Sequence, residues 1–305
     1  MAACVRRGGD RVLGPAATEP SLFELARVGD LCADVRGDVR DADAVARAAA
    51  GAEVVFHLAA QPIVRAALED PVGTFSTNVL GTAHVLSAAR DAVVVCVTSD
   101  KCYAPGPGPH REGDPVGGAD PYSASKAAQE HVAAAYREAL GVQVATARAG
   151  NVIGGGDWGR ARLLPDLVRA HESRAPVTLR HPDAVRPWQH AIDPLAGYLR
   201  LAERLADSPD YADAWNFGPD GAETVRWVVD CVRAHWPLAV EVAPAGDPVE
   251  APALRLDASK AREKLGGEPR LATSEALVAT VFWHDRVREG ADARTVTLTQ
   301  IEEAT

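Results

Sequence analysis

Short hydrophobic runs alternate with longer alanine-rich segments along the first half of the chain. The runs at 53–58, 92–98 and 142–148 are short and apolar, and the second is continuous rather than alternating, which is typical of a strand covered on both faces. Between them, residues 71–92 and 122–140 carry apolar side chains at helical spacing. This order predicts a parallel sheet whose strands are joined by crossover helices.

The pattern becomes mixed beyond Pro165. It predicts a helix near Leu167, a short strand at 177–180, a helix at 194–206 and a last short strand and turn at 215–219. Two further helices are predicted near 225–235 and at 273–288. We therefore expect one open α/β sheet followed by a smaller mixed region.

Composition narrows the class of protein. The chain has 305 residues, of which 47% are hydrophobic and 24% charged, and this excludes a disordered chain. The net charge of −10 argues against nucleic acid or an anionic membrane as partner. The sequence has no apolar stretch of membrane-spanning length and no signal-peptide pattern, and its five cysteines form no CxxC pair. We expect reduced thiols, a cytoplasmic location and no metal site.

Polar residues follow the predicted strands. Ser99, Asp100 and Lys101 come directly after the run at 92–98, and a glycine cluster follows the run at 142–148. In a doubly wound sheet, ligands bind beyond the carboxyl ends of the strands. These segments are therefore the first candidates for a functional site.

Tyr122 and Lys126 lie four residues apart on a predicted helix, so their side chains share one face. A nearby ammonium favours tyrosinate, and we expect it to lower the pKa of the phenol and make it a usable base. The alternative is an ordinary surface pair. Only four of the 32 basic residues are lysines, which favours a specific role for Lys126, although codon bias would explain the same imbalance.

Several long motifs in this sequence carry a family resemblance. The segments TSDKCY, GGADPYSASK, RAGNVIGGGDW and RPWQH, with PSLFELA near the start, resemble the CDP-glucose 4,6-dehydratase family of extended short-chain dehydrogenase/reductases. The similarity runs from about Gly8 to the last helix. It implies a Rossmann-like domain at 1–152 plus 184–218 that binds NAD, and a domain at 153–183 plus 219–305 that binds a sugar nucleotide.

The resemblance also implies the chemistry. NAD serves as a hydride shuttle, Tyr122 held by Lys126 takes the proton of the sugar 4-hydroxyl, and Ser99 bonds the same oxygen, with Thr98 the less favoured candidate. Asp100 protonates the departing 6-hydroxyl. Lys101 stands where related enzymes have a glutamate, and either acts as a neutral base or stabilises the enolate electrostatically.

The remaining expectations concern binding. The resemblance places NAD at Asp38, Val39, Leu58, Ala59, Ala60, Thr98, Tyr122 and Lys126. It places the substrate at Gln61, Asn151, Arg162 and Arg186, where arginine forks suit a diphosphate. It implies a homodimer formed through the helices that begin at Pro71 and Tyr122.

The start of the chain departs from the family pattern. The fold should open with a strand and a glycine-rich turn, but Gly8-Gly9 is not followed by a helical pattern, residues 1–9 look like the end of the first helix, and 11–16 resemble the second strand. We therefore expect a doubly wound parallel sheet lacking its first strand and its glycine-rich turn. The alternatives to CDP-glucose dehydration are a dehydratase or epimerase of another sugar nucleotide, or a truncated, non-catalytic binding paralogue.

Overall fold

The computed structural model describes residues 2–5, 11–13, 18–106, 108–243 and 251–304. Gly8 and Gly9 lie outside these residues, and so does the expectation that the chain lacks a glycine-rich turn there. The strands are β1 (Ala2–Val5), β2 (Arg11–Leu13), β3 (Ala33–Val35), β4 (Val54–His57), β5 (Val93–Val97), β6 (Val144–Ala149), β7 (Asn151–Ile153), β8 (Val177–Leu179), β9 (Val185–Arg186), β10 (Trp188–His190), β11 (Ala214–Phe217), β12 (Glu223–Thr224) and β13 (Val240–Val242).

Helices follow most of these strands, and three 3₁₀ turns (Val28–Asp30, Asp100–Cys102, Pro209–Tyr211) complete the elements. The helices are α1 (Leu22–Leu25), α2 (Ala42–Ala49), α3 (Val64–Glu69), α4 (Pro71–Phe75), α5 (Gly81–Ala88), α6 (Pro121–Leu140), α7 (Leu163–Ser173), α8 (Ile192–Asp207), α9 (Val225–Arg233), α10 (Ser259–Leu265), α11 (Thr273–Arg288) and α12 (Ala293–Glu303). One π turn, Ser76–Leu80, joins α4 directly to α5.

Seven strands form the main sheet in the order β11-β6-β5-β4-β1-β2-β3. Every neighbouring pair is parallel except the two pairs that involve β1, which runs antiparallel to both β4 and β2. The segment at 11–16 does begin with a strand, as predicted. The expectation that the chain's first residues end a helix is wrong, because Ala2–Val5 pairs between β4 and β2, where the first strand was expected to be missing.

Both faces of the main sheet are covered, which confirms the doubly wound α/β class. One hydrophobic cluster joins β4 and β5 to the helices on one face, including Val45, Val85 and Ala133. A second joins β5, β6 and β11 to α8 and α10 on the other face, including Leu201 and Leu265. β5 is buried along four of its five residues, in agreement with its continuous run of valines.

The smaller region packs around its own hydrophobic cluster. α7, α9, α11, β8 and β10 contribute to it, with Leu167, Val228, Leu277 and Trp236 among its most buried residues. Three two-stranded pairs, β10-β7, β12-β9 and β13-β8, complete this region. The sequence pattern missed α2, α3, α10 and α12, since each is short or lacks a strong apolar stripe. Within the described ranges, no helix combines the length and the apolarity that crossing a membrane requires.

The helix α6 begins and ends where its sequence dictates. Asp120 caps its first turn by accepting hydrogen bonds from the backbone N–H groups of Tyr122 (2.9 Å) and Ser123 (3.0 Å), and Pro121 occupies the first helical position. Gly141 ends the helix with φ +68°, a left-handed conformation that favours glycine. These two signals place Tyr122 in the first turn of α6, beside the carboxyl end of β5.

Candidate functional site

A cavity of about 640 Å³ opens at the carboxyl edge of the main sheet, between that sheet and the smaller region. Its volume is in the range that small-molecule sites occupy. Residues predicted from four separate sequence motifs, together with Arg162, line it: Thr98, Ser99, Asp100, Lys101, Tyr122, Asn151, Arg162 and Arg186. The expected convergence of polar residues at one sheet edge is therefore present.

The turn after β5 presents Ser99, Asp100 and Lys101 to this cavity. Ser99 caps the 3₁₀ turn Asp100–Cys102, since its hydroxyl accepts the Lys101 N–H at 3.2 Å. The same hydroxyl donates to Asp100 Oδ1 at 2.9 Å. Local hydrogen bonds thus fix the backbone of the turn and one carboxylate oxygen.

Asp100 is buried, with 3% of its surface exposed. Its second oxygen, Oδ2, lies buried with no hydrogen-bond partner among the described residues. Burial raises the pKa of Asp100, and the charges of Lys101 and Arg186 and the bond from Ser99 oppose that rise. A carboxyl group with a raised pKa and one unpaired oxygen is suited to donate a proton to a group in the cavity.

Tyr122 and Lys126 are both buried on α6, as their spacing predicts. Burial raises the pKa of Tyr122 to about 12, while a hydrogen bond with the Ser99 side chain opposes the rise. The expectation that the phenol has a lowered pKa is therefore wrong for this geometry, because loss of solvent outweighs the effect of nearby groups. Burial also lowers the pKa of Lys126 to about 8, and its Nζ donates to the Val97 carbonyl at 3.4 Å.

The predicted substrate residues divide into two groups. Asn151, Arg162 and Arg186 line the cavity, and Arg186 is buried with its guanidinium bonded to the Val185 carbonyl at 2.8 Å. Arg162 is more open and pairs with Asp157 at 3.2 Å. Two cationic side chains therefore reach one cavity from different elements.

Gln61 is not among the residues that line the cavity, and its predicted contact with the substrate stays a prediction. Its amide donates to Thr74 Oγ1 at 2.9 Å, and its Oε1 accepts the Ile63 N–H at 2.6 Å. Asn78, in the π turn, holds the same segment by accepting the Gln61 N–H at 2.7 Å and donating back to its carbonyl at 3.1 Å. Gln61 and Asn78 thus shape the loop after β4, which reaches the cavity through Ile63.

The predicted cofactor residues of the first strands lie at the same sheet edge but outside the cavity. Asp38 follows β3, and its carboxylate pairs with Arg40 at 2.5 Å, which lowers its pKa. Val39 and Ala59 belong to the hydrophobic cluster, while Leu58 and Ala60 flank Ala59 after β4 and are only partly buried. Thr98 donates its hydroxyl to Glu130, so it has no free proton for a cofactor.

The cavity also contains residues that the motifs left unassigned. Arg180 and His181 follow β8, and His284 reaches the cavity from α11. His181 Nε2 is buried with no hydrogen-bond partner in the described part of the chain. Ser99 was predicted because polar residues that follow a strand tend to line the site. The same rule, applied to β8, would have identified Arg180 and His181.

Comparison with known proteins agrees with this geometry. Residues 6–218 match the model of the NAD dependent epimerase/dehydratase family. The chain is 42% identical to a CDP-glucose 4,6-dehydratase of Salmonella typhimurium, over 91% of this chain and 83% of the relative. It is 30% identical to a dTDP-glucose 4,6-dehydratase of Streptomyces antibioticus, over 82% and 75%.

A solved structure shows a similar fold. It is a double mutant of a dTDP-glucose 4,6-dehydratase from Streptomyces venezuelae with NAD bound, 27% identical to this chain. The TM-score is 0.76, and the match covers 88% of this chain and 85% of that one.

Proposed function

The chain belongs to the NAD dependent epimerase/dehydratase family, and from that premise we propose that it dehydrates CDP-glucose to CDP-4-keto-6-deoxyglucose. The reaction releases one water and leaves the oxidation state of NAD unchanged overall. The similarity to the Salmonella enzyme supports the choice of CDP-glucose among nucleotide sugars. One structural observation carries the choice of dehydration, namely the buried, partly unpaired carboxyl of Asp100 in the cavity.

The described residues fit the nicotinamide end of the cofactor. Lys126 is buried, and the described residues supply one acceptor, the Val97 carbonyl, for the three N–H donors of its ammonium. Tyr122 and Lys126 would hold that end, with Asp38, Val39, Leu58, Ala59 and Ala60 toward the adenine end. Bound there, NAD would supply the hydride acceptor for oxidation at C4 of the sugar and the hydride donor for reduction at C6.

Tyr122 and Ser99 serve the oxidation at C4. The Ser99 and Tyr122 side chains line the same cavity, and Ser99 lies near enough to act on the pKa of the phenol, so both can reach one substrate oxygen. We assign Tyr122 as the base that takes the 4-hydroxyl proton and Ser99 as the hydrogen-bond partner of that oxygen. This role requires positive charge near the phenol, when substrate and cofactor are bound, to offset the burial that raises its pKa. Lys126 keeps a positive charge behind the phenol below a pH of about 8.

Asp100 and Lys101 serve the elimination of water. Once C4 is a ketone, the proton at C5 becomes acidic, and the 6-hydroxyl leaves if an acid protonates it. Asp100 is the acid, since burial raises its pKa and keeps its proton available at a higher pH than in water. Lys101 lies beside it in the cavity and either removes the C5 proton or stabilises the enolate. A simple 4-epimerase needs no acid at C6.

The sugar nucleotide would lie between the two regions, because its proposed binding residues come from both. Arg186 and Arg162 would bind the diphosphate and Asn151 the sugar, since all three line the cavity. The proposed NAD-binding domain is 1–152 plus 184–218, and the proposed sugar-nucleotide-binding domain is 153–183 plus 219–305, with Asn151 and Arg186 reaching the substrate from the first. The hydrophobic cluster of the smaller region, which is built mostly from the second set of ranges, supports this division.

A homodimer and a cytoplasmic location complete the proposal. The surface of α3 to α5 exposes an apolar face, formed by Leu68, Val72, Phe75 and Leu80. In the dimer, this face and α6 of one protomer would pack against their copies. The described cysteines are free thiols, in keeping with a reducing compartment.

Incubation with NAD and CDP-glucose tests the function. We expect a 4-keto product, detected by its enone absorbance in alkali, and no lasting change in the NAD to NADH ratio. Parallel reactions with dTDP-glucose and UDP-glucose are the controls. Product from dTDP-glucose alone would reassign the substrate, and epimerised sugar without a keto product would overturn the dehydratase assignment.

A further inference from the structure

A buried ion pair lies behind the turn that presents Ser99 and Asp100. Glu130 on α6 accepts a hydrogen bond from Arg148 on β6 at 2.7 Å, and the two side chains are only 6% and 5% exposed. Glu130 also accepts the Thr146 hydroxyl at 2.7 Å. The pair therefore connects α6 to β6 close to the turn that carries Ser99 and Asp100.

Glu130 holds the start of the turn. Its Oε1 accepts the hydroxyl of Thr98 at 2.5 Å, and Thr98 immediately precedes Ser99. One helical turn earlier, Lys126 donates to the carbonyl of Val97. Two successive residues at the end of β5 are thus fixed to α6 by side chains four residues apart.

Arg148 holds the end of the same turn through Tyr103. The guanidinium donates to the Tyr103 hydroxyl at 2.9 Å and stacks over its ring, with 4.9 Å between the guanidinium carbon and the ring centre. The Tyr103 hydroxyl in turn donates to Asn216 on β11 at 2.6 Å. Tyr103 directly follows the 3₁₀ turn, so both ends of the segment 98–103 are held by one ion pair.

None of Glu130, Arg148 and Tyr103 lines the cavity. Burial of an ion pair is costly in free energy, and an apolar pair of similar volume is often as stable. A role in stability alone therefore explains this arrangement poorly, whereas its bonds to both ends of the catalytic turn give it a specific effect.

We propose that Glu130, Arg148 and Tyr103 are positioning residues that set the placement of Ser99, Asp100 and Lys101 in the cavity. The inference rests on the proposed function for the identity of the reaction. Its effect is on the rate of the chemical steps rather than on substrate affinity, because the three side chains contact the turn and not the cavity. Small displacements of catalytic groups cost up to about 100-fold in rate.

The variant Tyr103→Phe tests the proposal, with Tyr136→Phe as the matched control. Each removes one phenol hydroxyl from a hydrogen-bonded tyrosine. Tyr136 on α6 bonds Ser87 at 2.7 Å, away from the turn. We expect kcat to fall about 10- to 100-fold in Tyr103→Phe, with KM for CDP-glucose within twofold of the parent protein. In Tyr136→Phe we expect kcat to change less than twofold.

Arg148→Lys provides a second variant. Lysine retains the charge beside Glu130 but lacks the planar fork that reaches the carboxylate and the Tyr103 hydroxyl together. We expect the same loss of kcat at unchanged KM. If kcat in both Tyr103→Phe and Arg148→Lys stays within twofold of Tyr136→Phe, or if KM rises in proportion to the lost rate, the proposal is wrong.

Hydrogen exchange separates this proposal from the proposed function. We expect peptides that cover 98–103 to exchange faster in Tyr103→Phe than in the parent protein and in Tyr136→Phe. Unchanged exchange in these peptides would overturn the positioning role. If the parent protein made no product from CDP-glucose, the proposed function would fail, while the exchange measurement would still decide whether the ion pair orders the turn.

Discussion

Replacing Asp100 by asparagine removes the proposed acid while keeping nearly the same shape. General acid catalysis contributes about 10²- to 10⁴-fold to a rate. Asp100 is 3% exposed, so water has poor access to replace it as the acid. We therefore expect the loss in kcat to lie toward about 10⁴-fold. A 10³- to 10⁴-fold loss corresponds to about 4–5.5 kcal/mol in the activation barrier.

The same substitution lowers activity but is expected to raise the stability of the fold. Burial raises the pKa of Asp100 in the folded protein above its unfolded value of about 3.9, so the charged form destabilises the fold at neutral pH. We expect Asp100→Asn to unfold at a higher temperature than the parent protein at pH 7. This difference shrinks as the pH falls through the raised pKa of Asp100, and it is absent below about 4, where the carboxyl is protonated in both states.

Partial reactions provide the assay. In the proposed mechanism, oxidation at C4 uses Tyr122 and Ser99, so Asp100→Asn should still form reduced nicotinamide on addition of CDP-glucose and then stall. The control is Asp193→Asn. Asp193 is also partly buried with a raised pKa, but it bonds the Arg270 backbone outside the cavity. Turnover of Asp100→Asn within tenfold of Asp193→Asn would refute the role of Asp100 as the acid.

Three further predictions concern other parts of the molecule. Lys101→Met distinguishes the two roles of that residue. If Lys101 is the base, the variant should incorporate no solvent deuterium at C5. Slowed but retained incorporation would indicate an electrostatic role. Val72→Asp, at a side chain 77% exposed on the apolar face, should convert a dimer to a monomer by light scattering, and a parent protein that is already monomeric would contradict the proposed interface. Gly155→Ala should lower the free energy of unfolding by about 1–3 kcal/mol, since the added methyl group would overlap the ring of Trp283, whereas Gly113→Ala, with open space around it, should unfold like the parent protein.

The parts of the fold that were predictable are those with strong local signals. β5 is marked by its own run of valines. α6 is marked by residues at its two ends, namely Asp120, Pro121 and Gly141. Neither the presence nor the direction of β1 had such a signal. Residues 1–9 were expected to end a helix, and the partner strand β4 lies about fifty residues away.

The part of the cavity that holds the proposed catalytic residues was predictable for the same reason. Ser99, Asp100 and Lys101 follow a recognisable strand, and Tyr122 and Lys126 share a helix face. The supporting ion pair was not, because Glu130 and Arg148 become partners only when α6 packs on β6. The pKa of Tyr122 was also predicted with the wrong sign, since the extent of burial depends on the whole fold.

The π turn Ser76–Leu80 has a consequence for how activity depends on protein concentration. Asn78 points inward from this turn and bonds both the loop after β4 and Ser125 on α6, at 2.8 Å for the latter. Phe75, directly before the same turn, and Leu80, its last residue, are exposed. Association through that outer face would stiffen the loop that forms one wall of the cavity. Specific activity would then rise with enzyme concentration until self-association is complete.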